Sequence, residues 1–149
     1  MAAAADFWYH VRVQFEHTDA QGRVFYASYF RLLDQARCAY WEALGFPADT
    51  VRQIENDTVI VHVDADYLGP AAFYDLLRIT VATAHLGRSS LHLEYRVINE
   101  HSGQEILTAR MVMVQVDLAT DTSRPWSTAF REAIVAYHGQ QVVQSGGGE

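Results

Sequence analysis

Residues 15–44 read FEHTDAQGRVFYASYFRLLDQARCAYWEAL, and a change of period inside this stretch decides the fold. From 28 to 44, apolar residues recur at intervals of three and four: Tyr29, Leu32, Leu33, Ala36, Tyr40, Ala43 and Leu44. That spacing lines them along one stripe of an α-helix. Ser28 stands where an N-cap belongs, and Gly45 followed by Pro47 stops the helix. Before it, Thr18, Asp19, Gln21 and Gly22 turn the chain. Earlier still, residues 7–15 alternate, with Phe7, Tyr9, Val11, Val13 and Phe15 facing one way and His10, Arg12 and Gln14 the other. That is the pattern of a half-buried strand.

Downstream the period stays near two. Strands are expected over 58–68, which runs into Gly69-Pro70, and over 73–86, 89–99 and 104–118. Short turns at 87–88 and 99–103 imply an antiparallel meander. The last strand is apolar on both faces. Ile106, Val112, Val114 and Val116 share one side, and Leu107, Ala109, Met111 and Met113 the other. The helix can cover one face; a second subunit is the expected cover for the other. A short helix is expected over 126–137, with Pro125 in its first turn and a stripe of Phe130, Ala133, Ile134 and Tyr137. The fold class is therefore α+β, a five-stranded antiparallel sheet wrapped around one long helix, plus a short C-terminal helix. The expected organisation is one domain over 7–138, with flexible ends at 1–6 and 139–149.

The chain has 149 residues, 50% hydrophobic and 19% charged, enough apolar material for one core. A net charge of -7 argues against a broad nucleic-acid surface. It does not forbid a small anionic ligand held by a local arginine. The single cysteine, Cys38, admits no internal disulfide and reads as a structural thiol in a reducing compartment. The start MAAAAD lacks a signal peptide's basic and apolar regions, and no stretch suits a membrane span, so a cytoplasmic location is expected.

The chemistry concentrates at Asp19. A carboxylate sits in a glycine-containing turn just ahead of a helix that starts near Tyr26 to Ser28. The first turn of a helix offers unpaired N–H groups and partial positive charge, which can hold a developing oxyanion. A carboxylate beside it can attack a carbonyl or activate water. The plainer reading is that Asp19 only closes an Asx-turn. His62, Asp64 and Asp66 alternate on one strand, but three polar residues on a wet face are ordinary, and no metal is assigned. His17, beside the turn, either assists Asp19 or is simply exposed; Arg37 suits an ion pair. No catalytic triad, phosphate loop or dinucleotide signature is present.

The stretch resembles the 4-hydroxybenzoyl-CoA thioesterase family of hotdog-fold proteins. Thr18-Asp19-Ala20-Gln21-Gly22, then Val24, Phe25, Tyr26 and Tyr29, with Arg37 further on, match its T-D-x-x-G turn and helix start. Tyr67-Leu68-Gly69-Pro70-Ala71, followed by Tyr74-Asp75, resembles the family's second turn. The resemblance spans roughly residues 8–137 and implies an acyl-CoA thioesterase without metal or cofactor. By the same resemblance Asp19 is the catalytic carboxylate, Tyr26 offers its backbone N–H to the thioester carbonyl, and Gly22 shapes the loop. Val24, Phe25 and Tyr29 then flank the substrate. Many members carry His where this chain has Tyr26, which bears on which acyl group fits. The CoA phosphates are expected at the 87–90 turn, on Arg88, Ser89 and Ser90. The implied partners are acyl-CoA and further copies of the chain, as dimer or tetramer. Rival readings are a non-catalytic acyl-CoA binding module and a thioesterase for a carrier-protein-bound chain. An enoyl-CoA hydratase of similar fold would need a D-x-N-x-x-H pattern, which is not found.

Overall fold

The computed structural model describes residues 7–143, so the expected flexible segments 1–6 and 144–149 lie outside the described residues. In chain order come β1 (Tyr9–Arg12), α1 (Ser28–Ala43), α2 (Ala48–Asn56), β2 (Thr58–Tyr67), β3 (Leu76–Leu86), β4 (Ser90–Asn99), β5 (Glu105–Asp117), β6 (Thr122–Ser123) and α3 (Thr128–His138). All strand pairings are antiparallel, in the order β1-β3-β4-β5-β2, with the two-residue β6 on β5. Only β3, β4 and β5 form a meander. β2 crosses to the far edge and pairs β5, so the simple meander expected from turn spacing is corrected.

The apolar stripe of α1 explains its place. Tyr29, Leu32, Leu33, Ala36, Tyr40 and Trp41 are all buried against the inner face of the sheet, which offers Leu77, Ile79, Val81, Leu93, Tyr95, Leu107 and Met111. Ala43, expected on this stripe, is exposed, and Arg37 is buried on it instead. Gly45, at φ 101, ends the helix, and the N–H of Phe46 reaches back to the Trp41 carbonyl. The inner face of β5 (Leu107, Ala109, Met111, Met113) is buried; on its outer face Val112 and Val114 stay partly exposed.

Three departures have local causes. α2 was not anticipated, because ADTVRQIEN places only Val51 and Ile54 toward the core. α3 starts at Thr128 under a Ser127 cap whose Oγ accepts from the Phe130 N–H at 3.1 Å, so Pro125 lies outside it. Residues 139–143, expected as the start of a mobile tail, pack on the body: Val142 is buried and Val143 bridges to Leu86.

Candidate active site

After β1 the chain makes one tight turn, Phe15–His17. His17 is buried, not exposed. Its Nδ1 accepts from the Gln14 N–H at 2.9 Å, and its carbonyl accepts from the Phe25 N–H at 2.9 Å. It therefore anchors both ends of the Asp19 loop. Within that loop the Asp19 N–H donates to the Arg23 carbonyl at 2.9 Å, and the Gly22 N–H to the Asp19 carbonyl at 3.0 Å. Gly22 sits at φ 77, a conformation that costs an ordinary L-residue roughly 1–2 kcal/mol. Asp19 does close an Asx-turn: Oδ1 accepts from the N–H of Gln21 at 2.8 Å and, more weakly, of Arg23 at 3.4 Å. The turn uses one carboxylate oxygen. Oδ2 has no hydrogen-bond partner among the described residues, and the side chain is exposed. The structural role and a chemical role are thus compatible in one side chain.

The second sequence motif is hydrogen-bonded to the first. Val24 donates to the Ala71 carbonyl at 2.8 Å, Arg23 pairs with Ala72, and Phe73 donates to the Gly22 carbonyl at 3.1 Å. Two segments about fifty residues apart in sequence thereby become one platform.

The start of α1 completes it. Ser28 is the first helical residue rather than the cap; Ala27 holds the cap position and has no side chain with which to cap. The N–H groups of Tyr26, Ala27 and Tyr29 have no acceptor among the described residues. The chain entry is held from β2, where the Tyr67 hydroxyl donates to the Tyr26 carbonyl at 2.9 Å and the Tyr67 ring meets Tyr29 edge-on at 5.7 Å. Tyr67 was not among the residues singled out as substrate-binding; its phenol at the end of β2 was the available signal. Val24 and Tyr29 are buried beneath the surface, so they shape the platform from below. Burial pushes the Tyr29 phenol up to about 12, so it stays neutral. Phe25 and Tyr26 are exposed, as are Tyr67, Leu68 and Phe73, which gives the carboxylate and the free N–H groups an apolar, aromatic rim.

The phosphate candidates lie elsewhere. The Asp19 platform precedes β3, and the 87–89 turn follows it, so the length of that strand separates them within one chain. Arg88 is exposed there. Ser89 and Ser90 are buried, which corrects their expected place on the surface. The cause is α3 and its lead-in: Trp126 donates from its N–H to the Arg88 carbonyl and from Nε1 to the Ser90 carbonyl, each at 3.0 Å, and Arg131 donates to the Gly87 carbonyl at 2.8 Å. His62 and Asp64 pair with each other at 2.9 Å, and Asp64 also faces Arg110 at 3.5 Å.

A family model described as the thioesterase superfamily matches residues 21–106. A 1,4-dihydroxy-2-naphthoyl-CoA hydrolase of Synechococcus elongatus is 28% identical over 123 residues, 81% of this chain and 89% of that one. Among solved structures, a thioesterase of Thermus thermophilus in complex with coenzyme A and Zn is 29% identical, with a TM-score of 0.73 over 88% of this chain and 94% of that one. The 4-hydroxybenzoyl-CoA thioesterase of a Pseudomonas strain shares the fold, at 23% identity and a TM-score of 0.76, over 87% of this chain and 99% of that one.

Proposed function

Since this chain belongs to the thioesterase superfamily and has its hotdog fold, we propose that it hydrolyses acyl-CoA thioesters to free acid and CoA, with Asp19 as the reacting carboxylate. The observation that carries this reading is the pairing of a free Asp19 oxygen with an uncapped helix start on one hydrogen-bonded platform. The thioester carbonyl would accept from the Tyr26 N–H, and the partial positive charge of the first turn of α1 would stabilise the oxyanion. Asp19 would then act in one of two ways. Its free oxygen attacks the carbonyl, CoA leaves as thiolate, and water opens the resulting anhydride; or it takes a proton from a water that attacks. Either route ends in acid and thiol. Arg88 remains our candidate for a CoA phosphate; the hydroxyls of Ser89 and Ser90 do not, because they are buried. The test is thiol release from a panel of short, long and aromatic acyl-CoAs. Absence of thiol release despite tight binding would favour a binding module, and release only from a carrier protein would move the reading to that substrate.

We further propose a homo-oligomer built on β2. This strand is a sheet edge whose Ile60, Val61, Val63 and Tyr67 are exposed, and an apolar edge is a template for another strand. Tyr67 links that edge directly to the Tyr26 carbonyl, so a neighbouring subunit would also wall the acyl site. Light scattering is expected to give at least twice the 16.8 kDa of one chain; a monomer at micromolar concentration would rule the assembly out.

A further inference from the structure

A β-bulge between Thr83 and His85 changes the face on which His85 lies. Thr83 pairs with Leu93, and both are buried on the inner face. In an unbroken ladder Ala84 would come next, opposite His92. The extra residue puts His85 there instead, and Leu86 returns to the inner face opposite Leu91. Bulges of this kind re-aim a side chain. Here the result is two imidazoles directly across neighbouring strands, partly exposed, with ring centroids 5.0 Å apart and planes at 83°.

We propose that His85 and His92 form a chelating site for a zinc-class divalent transition metal on the outer face of the sheet. Imidazole nitrogens bind such ions at about 2.0–2.1 Å, and two rings sharing one tetrahedral centre have centroids roughly 5 Å apart, which is the spacing here. Neither ring makes a hydrogen bond to another described residue, so neither must give one up to bind. Among the described residues no third protein ligand joins them, so water completes the coordination. The site lies at the far end of β3 from the Asp19 platform and needs nothing from the proposed hydrolysis. His62, on the same face, lies two strands from His92 across Val112 and is engaged by Asp64. It therefore serves as a control.

The experiment is calorimetric titration of the full chain with zinc chloride near pH 7.5, beside His85→Ala, His92→Ala, His92→Gln and His62→Ala. One saturable site per chain is expected, weakened about tenfold or more by each change at 85 or 92 and unmoved by His62→Ala. A thermal midpoint that rises with zinc in the parent and in His62→Ala, but not in His92→Gln, would agree, since binding to the folded form stabilises it. No saturable binding, an affinity left undiminished by both His92→Ala and His92→Gln, or binding abolished by His62→Ala would overturn the assignment.

Discussion

Asp19→Asn is expected to lower the turnover of acyl-CoA hydrolysis about a thousandfold, the scale of a lost general base or nucleophile. The substitution is mild for the fold. Asn retains a side-chain oxygen to accept from the Gln21 and Arg23 N–H groups, and it suits an Asx-turn as well as Asp does. Gly22 and the bonds to Ala71 and Phe73 are untouched. What disappears is the negative oxygen that faces outward. The thermal midpoint and the KM are therefore expected to change little while kcat collapses. Thiol-release kinetics and a melting curve on the same preparation check this. Turnover at the parental rate would remove Asp19 from the chemistry.

The largest stability effect is expected at Arg37. Its side chain is only 6% exposed and forms a two-pronged pair with Glu55, at 3.0 and 2.7 Å. A third donor reaches Asp34 at 2.9 Å, and the Trp41 indole joins at Glu55 with a 2.8 Å bond. The cluster ties α1 to α2. Arg37→Ala leaves the Glu55 carboxylate without its cation, and breaking a buried pair on one side costs several kcal/mol. Because the Glu55 side chain keeps 25% exposure, we place the loss at about 3 kcal/mol, the lower end of that range. Arg37→Lys is expected to rescue little, since one ammonium cannot reproduce the fork. Burial pushes the Glu55 carboxyl up, but the Arg37 and Trp41 hydrogen bonds outweigh it and leave it below its usual value. A lowered carboxylate stabilises the fold above its unfolded pKa, and that contribution fades as pH falls toward the folded one. The gap in urea midpoint between parent and Arg37→Ala is thus expected to be full at pH 7 and to narrow below about pH 4.5. Equal midpoints at pH 7 would show that the pair contributes nothing.

Elements with a strong repeating pattern were legible in the sequence. The three- and four-residue spacing of Tyr29, Leu32, Leu33 and Ala36 marked α1, alternation marked β3 and β4, and a run apolar on both faces marked β5. α2 was not legible, because two apolar residues in nine do not make a stripe. The crossing of β2 to the edge was hidden for a different reason: turn chemistry reports which strands are joined, not which become neighbours. At the candidate site, the Asp19 and Tyr67–Ala71 motifs were readable, but their mutual hydrogen bonds depend on tertiary structure. Ser89 and Ser90 misled because polar residues in a hairpin usually face water; here Trp126 and α3 close over them. The ion pair of Arg37 was legible, but its burial was not, since a long cation can enter a core when Glu55 follows it there.

A crystal structure of the Asp19→Asn variant with an intact acyl-CoA would locate the thioester directly. The carbonyl oxygen is expected within hydrogen-bond distance of the Tyr26 N–H, with residue 19 on the other side of the carbonyl carbon and the acyl group among Phe25, Tyr26 and Tyr67. A thioester seated away from both Tyr26 and residue 19 would contradict a reaction run between that carboxylate and the start of α1.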